Sequence, residues 1–89
     1  MLGAIYKYDT KNIDGIDFKI KGLIRPVCSK IQNEKIMVWC EVDVESNKER
    51  VLSVDIKSTG YDRVYDYQTY LDTVVFDNGL VYHIYTTVL

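Results

Sequence analysis

The dipeptide Asn78-Gly79 lies between two apolar, β-branched runs, Tyr70–Asp77 and Leu80–Val88, and constrains the fold more than any other feature of the chain. Asn-Gly is favoured in tight hairpin turns because both residues take up positive φ at little cost. The C-terminal region therefore reads as two antiparallel strands. A turn centred on the dipeptide pairs Phe76 with Val81, Val75 with Tyr82 and Val74 with His83. One face then carries Leu71, Thr73, Val75, Tyr82, Ile84 and Thr86, and the other Val74, Phe76, Val81, His83 and Tyr85. Both faces are largely apolar. Such a hairpin belongs inside a sandwich or barrel, or at a subunit interface.

The rest of the chain repeats the period of two. Ile16-Asp17-Phe18-Lys19-Ile20 alternates cleanly, with Ile16, Phe18 and Ile20 inward. Asp14-Gly15 before it is a turn signal, so Ala4–Asp9 and Ile16–Ile20 read as the arms of a loose hairpin. Pro26 lacks a ladder donor and belongs at a strand start or on an edge. Val27–Ile31 and Ile36–Val44 flank a turn at Asn33-Glu34, which pairs Ile31 with Ile36, Ser29 with Val38 and Val27 with Cys40. That register gathers one apolar face. It sets Cys28 beside Trp39 on the other face, away from Cys40, so no disulfide is expected. Arg50–Lys57 is a further strand, with Leu52, Val54 and Ile56 on one face and Ser53, Asp55 and Lys57 on the other. No segment has the apolar 3.6 period of an amphipathic helix. The expectation is an all-β domain spanning residues 1–89, with six or seven antiparallel strands in a small barrel or sandwich and no substantial helix.

Composition narrows the classes. A 47% hydrophobic, 27% charged chain folds, and 89 residues suit one domain. The net charge of −2 does not favour a duplex nucleic-acid binder. Lys19, Lys21, Arg25 and Lys30, with no acid between Asp17 and Glu34, form the one basic run and read as a solvated face. No apolar run is long enough for a membrane helix. The first residues do not read as a signal peptide, so a cytosolic chain with reduced thiols is expected.

The stretch Ser58–Gln68, with Thr69-Tyr70 beyond it, is the candidate working surface. Four of the eight tyrosines fall there, at 61, 65, 67 and 70, together with Asp62, Arg63 and Asp66. Tyrosine combines flat apolar area with a hydroxyl at low ordering cost. Thr59, Tyr61, Arg63, Tyr65 and Tyr67 are the expected contacts, with Trp39 as an aromatic that can stack a ligand or pack an interface. The tyrosines can equally cap the end of the core. Asp62 and Asp66 suit solvation or capping more than catalysis, and Gly60 suits a positive φ more than a phosphate loop. His83 is the one histidine and reads as a paired, buried structural residue beside Val74 and Tyr85. A zinc site would need His83, both cysteines and a carboxylate to converge from separate strands. Cys40, aimed at the apolar face, reads as an inert thiol. No catalytic residues, metal site or cofactor are expected.

With these strands placed, the chain resembles a family of small phage and prophage proteins known only as a domain of unknown function. The matching pieces are Tyr6-Lys7-Tyr8, Gln32-Asn33, Trp39, Val42-Asp43, Thr59-Gly60, Tyr70-Leu71 with Thr73, and Gly79-Leu80-Val81-Tyr82-His83-Ile84. The family's Pro-x-Gly before the third strand is replaced here by Lys21-Gly22-Leu23-Ile24-Arg25-Pro26. The resemblance implies a phage accessory protein of compact β structure. Two functions fit it. One is a counter-defence protein that sequesters a nucleotide immune signal, with aromatic rings sandwiching the base and Arg63 on a phosphate. The other is a protein-binding inhibitor of a host defence or replication enzyme, of the anti-CRISPR kind, since Tyr and Arg also dominate protein hot spots. A minor structural phage role is a third reading. A homo-oligomer, most simply a dimer, is expected from the two apolar faces of the last hairpin.

Overall fold

The chain passes from one sheet to the other three times, and one of these crossings turns on Gly22. The computed structural model describes residues 1–89. Its seven strands are β1 (Gly3–Asp9), β2 (Ile16–Lys21), β3 (Leu23–Gln32), β4 (Lys35–Asp43), β5 (Glu49–Ser58), β6 (Thr69–Val75) and β7 (Val81–Val88). They form two antiparallel sheets, one in the order β1-β4-β3 and the other β2-β5-β7-β6. The fold is thus an all-β sandwich and not a closed barrel. No helix is long and apolar enough to cross a membrane.

The core lies between the sheets. Ile36, Val38, Cys40 and Val42 of β4 face Leu52, Val54 and Ile56 of β5, with Ile84 of β7 beside them, all fully or nearly fully buried. These are the alternating inward positions that the sequence marks on β4 and β5. Ile16, Phe18 and Ile20 of β2 also pack inward, as their alternation requires. Buried polar side chains are satisfied: the Ser29 hydroxyl donates to the Met37 carbonyl at 2.8 Å, and that of Thr10 to the Ile36 carbonyl at 2.7 Å.

Three expectations of pairing change. The β1 and β2 strands are not a hairpin: β1 pairs with β4, and β2 with β5. The connecting loop is held in passage between the sheets. The Ile36 N–H donates to the Asn12 side chain on one sheet, and the Ile56 N–H to Asp14 on the other. In the β3–β4 hairpin, Asn33 and Glu34 both take positive φ, and Ile31 faces Ile36 and Ser29 faces Val38 as expected. A bulge at Val27 then places Pro26, not Val27, opposite Cys40. Pro26 lies on edge strand β3.

The last hairpin is displaced by one residue. Val75 faces Val81, Val74 faces Tyr82 and Thr73 faces His83. The turn runs from Phe76 to Leu80: the Gly79 N–H donates to the Phe76 carbonyl at 2.9 Å, and the Phe76 N–H to the Leu80 carbonyl at 2.8 Å. Only Gly79 takes positive φ, so the turn is a type I turn closed by a glycine bulge. The slip moves Val74 inward beside Ile84, and sends Thr73 and Val75 outward with His83 and Tyr85.

Candidate functional site

β5 and β6 both flank β7 and both run antiparallel to it, so they are parallel to each other. A parallel pair needs a crossover connection. The inner face of the sheet is filled by the core, so residues 59–68 return along the outer face, from the level of Tyr82 towards that of Thr86. The tyrosine stretch is this crossover. It does not cap the core.

The outer face supplies its anchors. Register sets Asp55 beside Tyr85 and Lys57 beside His83. The Gln68 amide donates to the Asp55 carboxylate. The Lys57 ammonium donates to the Arg63 carbonyl at 2.5 Å and stands 5.9 Å from the centroid of the Tyr85 ring. At the start of the loop, the Ser58 N–H donates to the exposed Asp62 carboxylate at 2.7 Å. Gly60 takes φ +83°. Inside the loop, Tyr65 and Gln68 close a small turn: the Tyr65 N–H donates to the Gln68 side chain, and the Gln68 N–H to the Tyr65 carbonyl, each at 3.0 Å.

His83 ties loop to sheet. Its Nε2 lies 2.8 Å from Thr59 Oγ1 and its Nδ1 lies 3.1 Å from Thr73 Oγ1. Thr73 Oγ1 in turn lies 2.7 Å from the Tyr70 hydroxyl. Tyr70 packs edge-on against Tyr85, with centroids 5.6 Å apart. The expectation of a buried histidine beside Val74 is therefore corrected. The one-residue slip places His83 half-exposed on the outer face, bonded to two hydroxyls, while Val74 goes to the core.

What the anchors leave free is aromatic. Tyr61, Tyr65 and Tyr67 are 86%, 55% and 66% exposed. The rings of Tyr65 and Tyr67 lie nearly parallel, 5° apart in tilt, with centroids 5.7 Å apart. A base between them would need a gap of about 7 Å, two carbon contact distances. Arg63 is exposed and enters no ion pair. Beside the loop is an open hollow of about 170 Å³, lined in part by Lys57, Thr59, Asp62 and His83. A larger hollow of about 340 Å³ lies elsewhere, among Asn12, Ile36, Phe76 and Leu80.

Trp39 does not join this surface. It faces outward from the three-stranded sheet, opposite Lys7 and Cys28, with the core between it and the loop. Thr59, Tyr61, Arg63, Tyr65 and Tyr67 share one loop, and Trp39 lies on the far side of the sandwich. Cys40 is buried, and burial pushes its thiol up to about 12, with Cys28 a smaller cause. His83, Cys28 and Cys40 thus occupy the two outer faces and the core. The four lysines and arginines of the basic run divide between β2 and β3. Of these, Arg25 pairs with Glu41 at 3.0 Å and Lys30 with Asp72 at 3.7 Å. Lys57, Asp55, Gln68 and Thr73, which position the loop, escaped the sequence reading. Their signal is the register of β5 and β6 against β7.

The chain belongs to the family described as Domain of unknown function (DUF7352), matched over residues 1–88. No curated protein and no solved structure matches it.

Proposed function

We propose that the protein is a non-enzymatic accessory binding protein whose target is a protein surface, engaged by the crossover loop. The observation that carries this reading is the combination of exposure and anchorage. Tyr61, Tyr65 and Tyr67 project from a loop held to the sheet through Asp55, Lys57 and His83. Aromatic rings presented on a fixed backbone lose little entropy on binding, which favours hot spots at protein interfaces. Arg63 adds an unpaired cation beside them. The phage setting implied by the resemblance makes a host defence or replication enzyme the fitting partner, met in the host cytosol.

A nucleotide ligand is the second reading. It draws on the hollow where Lys57 and Thr59 stand beside His83, which suits a phosphate. It is the weaker one for two reasons. Ligand pockets usually enclose about 300–1,000 Å³, and this hollow is smaller and open. The Tyr65–Tyr67 stack also leaves the base only an outer ring face.

Native mass spectrometry of protein purified from infected cells, with melting curves in the presence of nucleotides, tests the proposal. The expected result is a partner protein in fixed stoichiometry and no nucleotide-induced rise in melting temperature. Tyr61→Ala and Arg63→Ala should each weaken that complex at least about tenfold, roughly 1.4 kcal/mol, with little change in stability. A nucleotide-induced rise that both variants abolish would establish the second reading. Full binding by both variants would move the working surface off the loop.

A further inference from the structure

We infer that β1 is a self-association edge, and that two copies of the chain pair through it to make one continuous six-stranded sheet. A sandwich of two open sheets has four edge strands, here β1, β3, β2 and β6. Proteins usually guard such edges against pairing. β3 carries Pro26 and two irregularities, and its Ser29 N–H is taken by the Asp72 carboxylate at 3.1 Å. β6 has its own bulge at Leu71 and contributes that Asp72. β2 places Asp17, Lys19 and Lys21 outward, three charges in six residues. β1 has no proline, and its pairing with β4 runs unbroken from Gly3 to Asp9.

The hydrogen bonds show what this edge offers. Beyond one end of β1 the Val44 N–H donates to the Leu2 carbonyl, and beyond the other the Thr10 N–H donates to the Ile36 carbonyl. Bonding residues alternate along an antiparallel strand. Ala4, Tyr6 and Tyr8 therefore turn their main-chain groups to β4, and Gly3, Ile5, Lys7 and Asp9 turn theirs to solvent. Side chains at the same edge lack cover. Ile5 is 55% exposed, and Tyr6, on the inward face of the sheet, is still 50% exposed.

The occupant follows from symmetry and charge. A two-fold axis normal to the sheet keeps each face continuous and opposes odd residues to odd residues. An axis at Lys7 would oppose two lysines. An axis at Tyr8 leaves little more than Lys7 and Asp9 in the ladder. An axis at Tyr6 opposes Ile5 to Lys7 of the second copy and Gly3 to Asp9 of the second copy, with no like charges facing. It uses every free main-chain group of β1, for about eight new hydrogen bonds. The two Tyr6 rings then meet at a non-hydrogen-bonded site, where side chains approach most closely. This relocates the expected oligomer contact from the last hairpin, whose outer face is crossed by the tyrosine loop, to β1.

Sedimentation velocity over a concentration series is the first test, and a reversible dimer is expected. Ile5→Pro removes an N–H that faces solvent in the monomer, so the β1–β4 ladder is kept and dimerisation should fall at least tenfold with unchanged circular dichroism. Crosslinking provides a second readout that does not depend on the proline variant folding. In a background carrying Cys28→Ser and Cys40→Ala, which removes the thiol that faces Tyr6 across the β1–β4 ladder, Tyr6→Cys should oxidise to a disulfide-linked dimer, since opposed Cα atoms there fall within disulfide reach. Ala4→Cys, opposite Tyr8 of the second copy, should not. A wild-type chain that stays monomeric at its highest soluble concentration overturns the inference. So does undiminished dimer in folded Ile5→Pro, or crosslinking of Ala4→Cys in preference to Tyr6→Cys.

Discussion

Of the five glycines, Gly22 is the most tightly enclosed. Its φ is +73°, and a Cβ there would lie 2.1 Å from the main-chain oxygen of Asp43. Its own groups are both engaged, the N–H with the Lys48 carbonyl at 2.8 Å and the carbonyl with the Asp43 N–H at 2.7 Å. The backbone cannot retreat without breaking the crossing between sheets. Gly22→Ala combines a left-handed side chain with overpacking and should cost about 2–5 kcal/mol, measured as a fall in the urea midpoint. A wild-type midpoint would show that the crossing yields. In the sequence, Gly22 is a lone glycine between strands, because the Asp43 carbonyl that demands it arrives from 21 residues away. Cys40 was more legible, since its inward position follows from the alternation of β4. Its thiol, raised from the usual 9.0 to about 12 by burial, keeps its proton in the fold after the unfolded chain has lost its own. The unfolded state then binds fewer protons, so this contribution to stability is whole below pH 9 and is lost as the pH climbs towards 12. Cys40→Ala, though less stable throughout, should show a shallower decline across that window than the wild type. Equal slopes in the two proteins would disprove the assignment.

At the scale of elements, local pattern reported strands well and partners poorly. Alternation placed the inward faces of β2, β4 and β5, because one buried side of a sheet imposes a period of two. The β1–β2 pairing was not legible. Asp14-Gly15 signals a turn, and whether the next strand returns to its neighbour or crosses to another sheet depends on what Asn12 and Asp14 meet in the distant Ile36 and Ile56 N–H groups. The last hairpin shows the same limit more finely. Asn-Gly suits a two-residue turn with both φ positive, and it equally suits a type I turn whose glycine closes a bulge. The second geometry keeps Phe76 edge-on against Tyr82, 5.8 Å between centroids, with Val74 in the core. Gly79→Val should therefore cost about 1–2 kcal/mol through conformational strain alone, since no atom lies within 4 Å of a Cβ at that site. It should be milder than Gly22→Ala, which adds a collision. Equal melting temperatures for Gly79→Val and the wild type would contradict the positive φ, and a loss exceeding that of Gly22→Ala would contradict the open surroundings.

For the whole molecule, the surface that the tyrosines occupy is set by topology. Their composition marked residues 59–68 as a loop suited to binding, yet composition carries no address. The address comes from placing β7 between β5 and β6, which forces the connection across the outer face. The same arrangement separates the loop from Trp39, an aromatic that sequence alone could not assign to either side of the sandwich. It also recruits Asp55 and Lys57, which in sequence are the polar positions of an alternating strand. If the loop acts as a fixed platform, these two side chains matter to binding without touching the partner. Asp55→Ala removes the Gln68 anchor, and Lys57→Ala removes the tie to the Arg63 carbonyl. Both contacts lie outside the core, so the melting temperature of each variant should fall by only a few degrees. Amide exchange should rise in residues 59–68 and stay as in the wild type in β4 and β5, because the loop opens locally while the sandwich holds. Complex formation should weaken about tenfold in the double variant, as the tyrosines regain the freedom that the anchors remove. The combination is diagnostic. Faster exchange with unchanged affinity would mean that the partner orders the loop for itself, and unchanged exchange would mean that the anchors do not hold the loop at all.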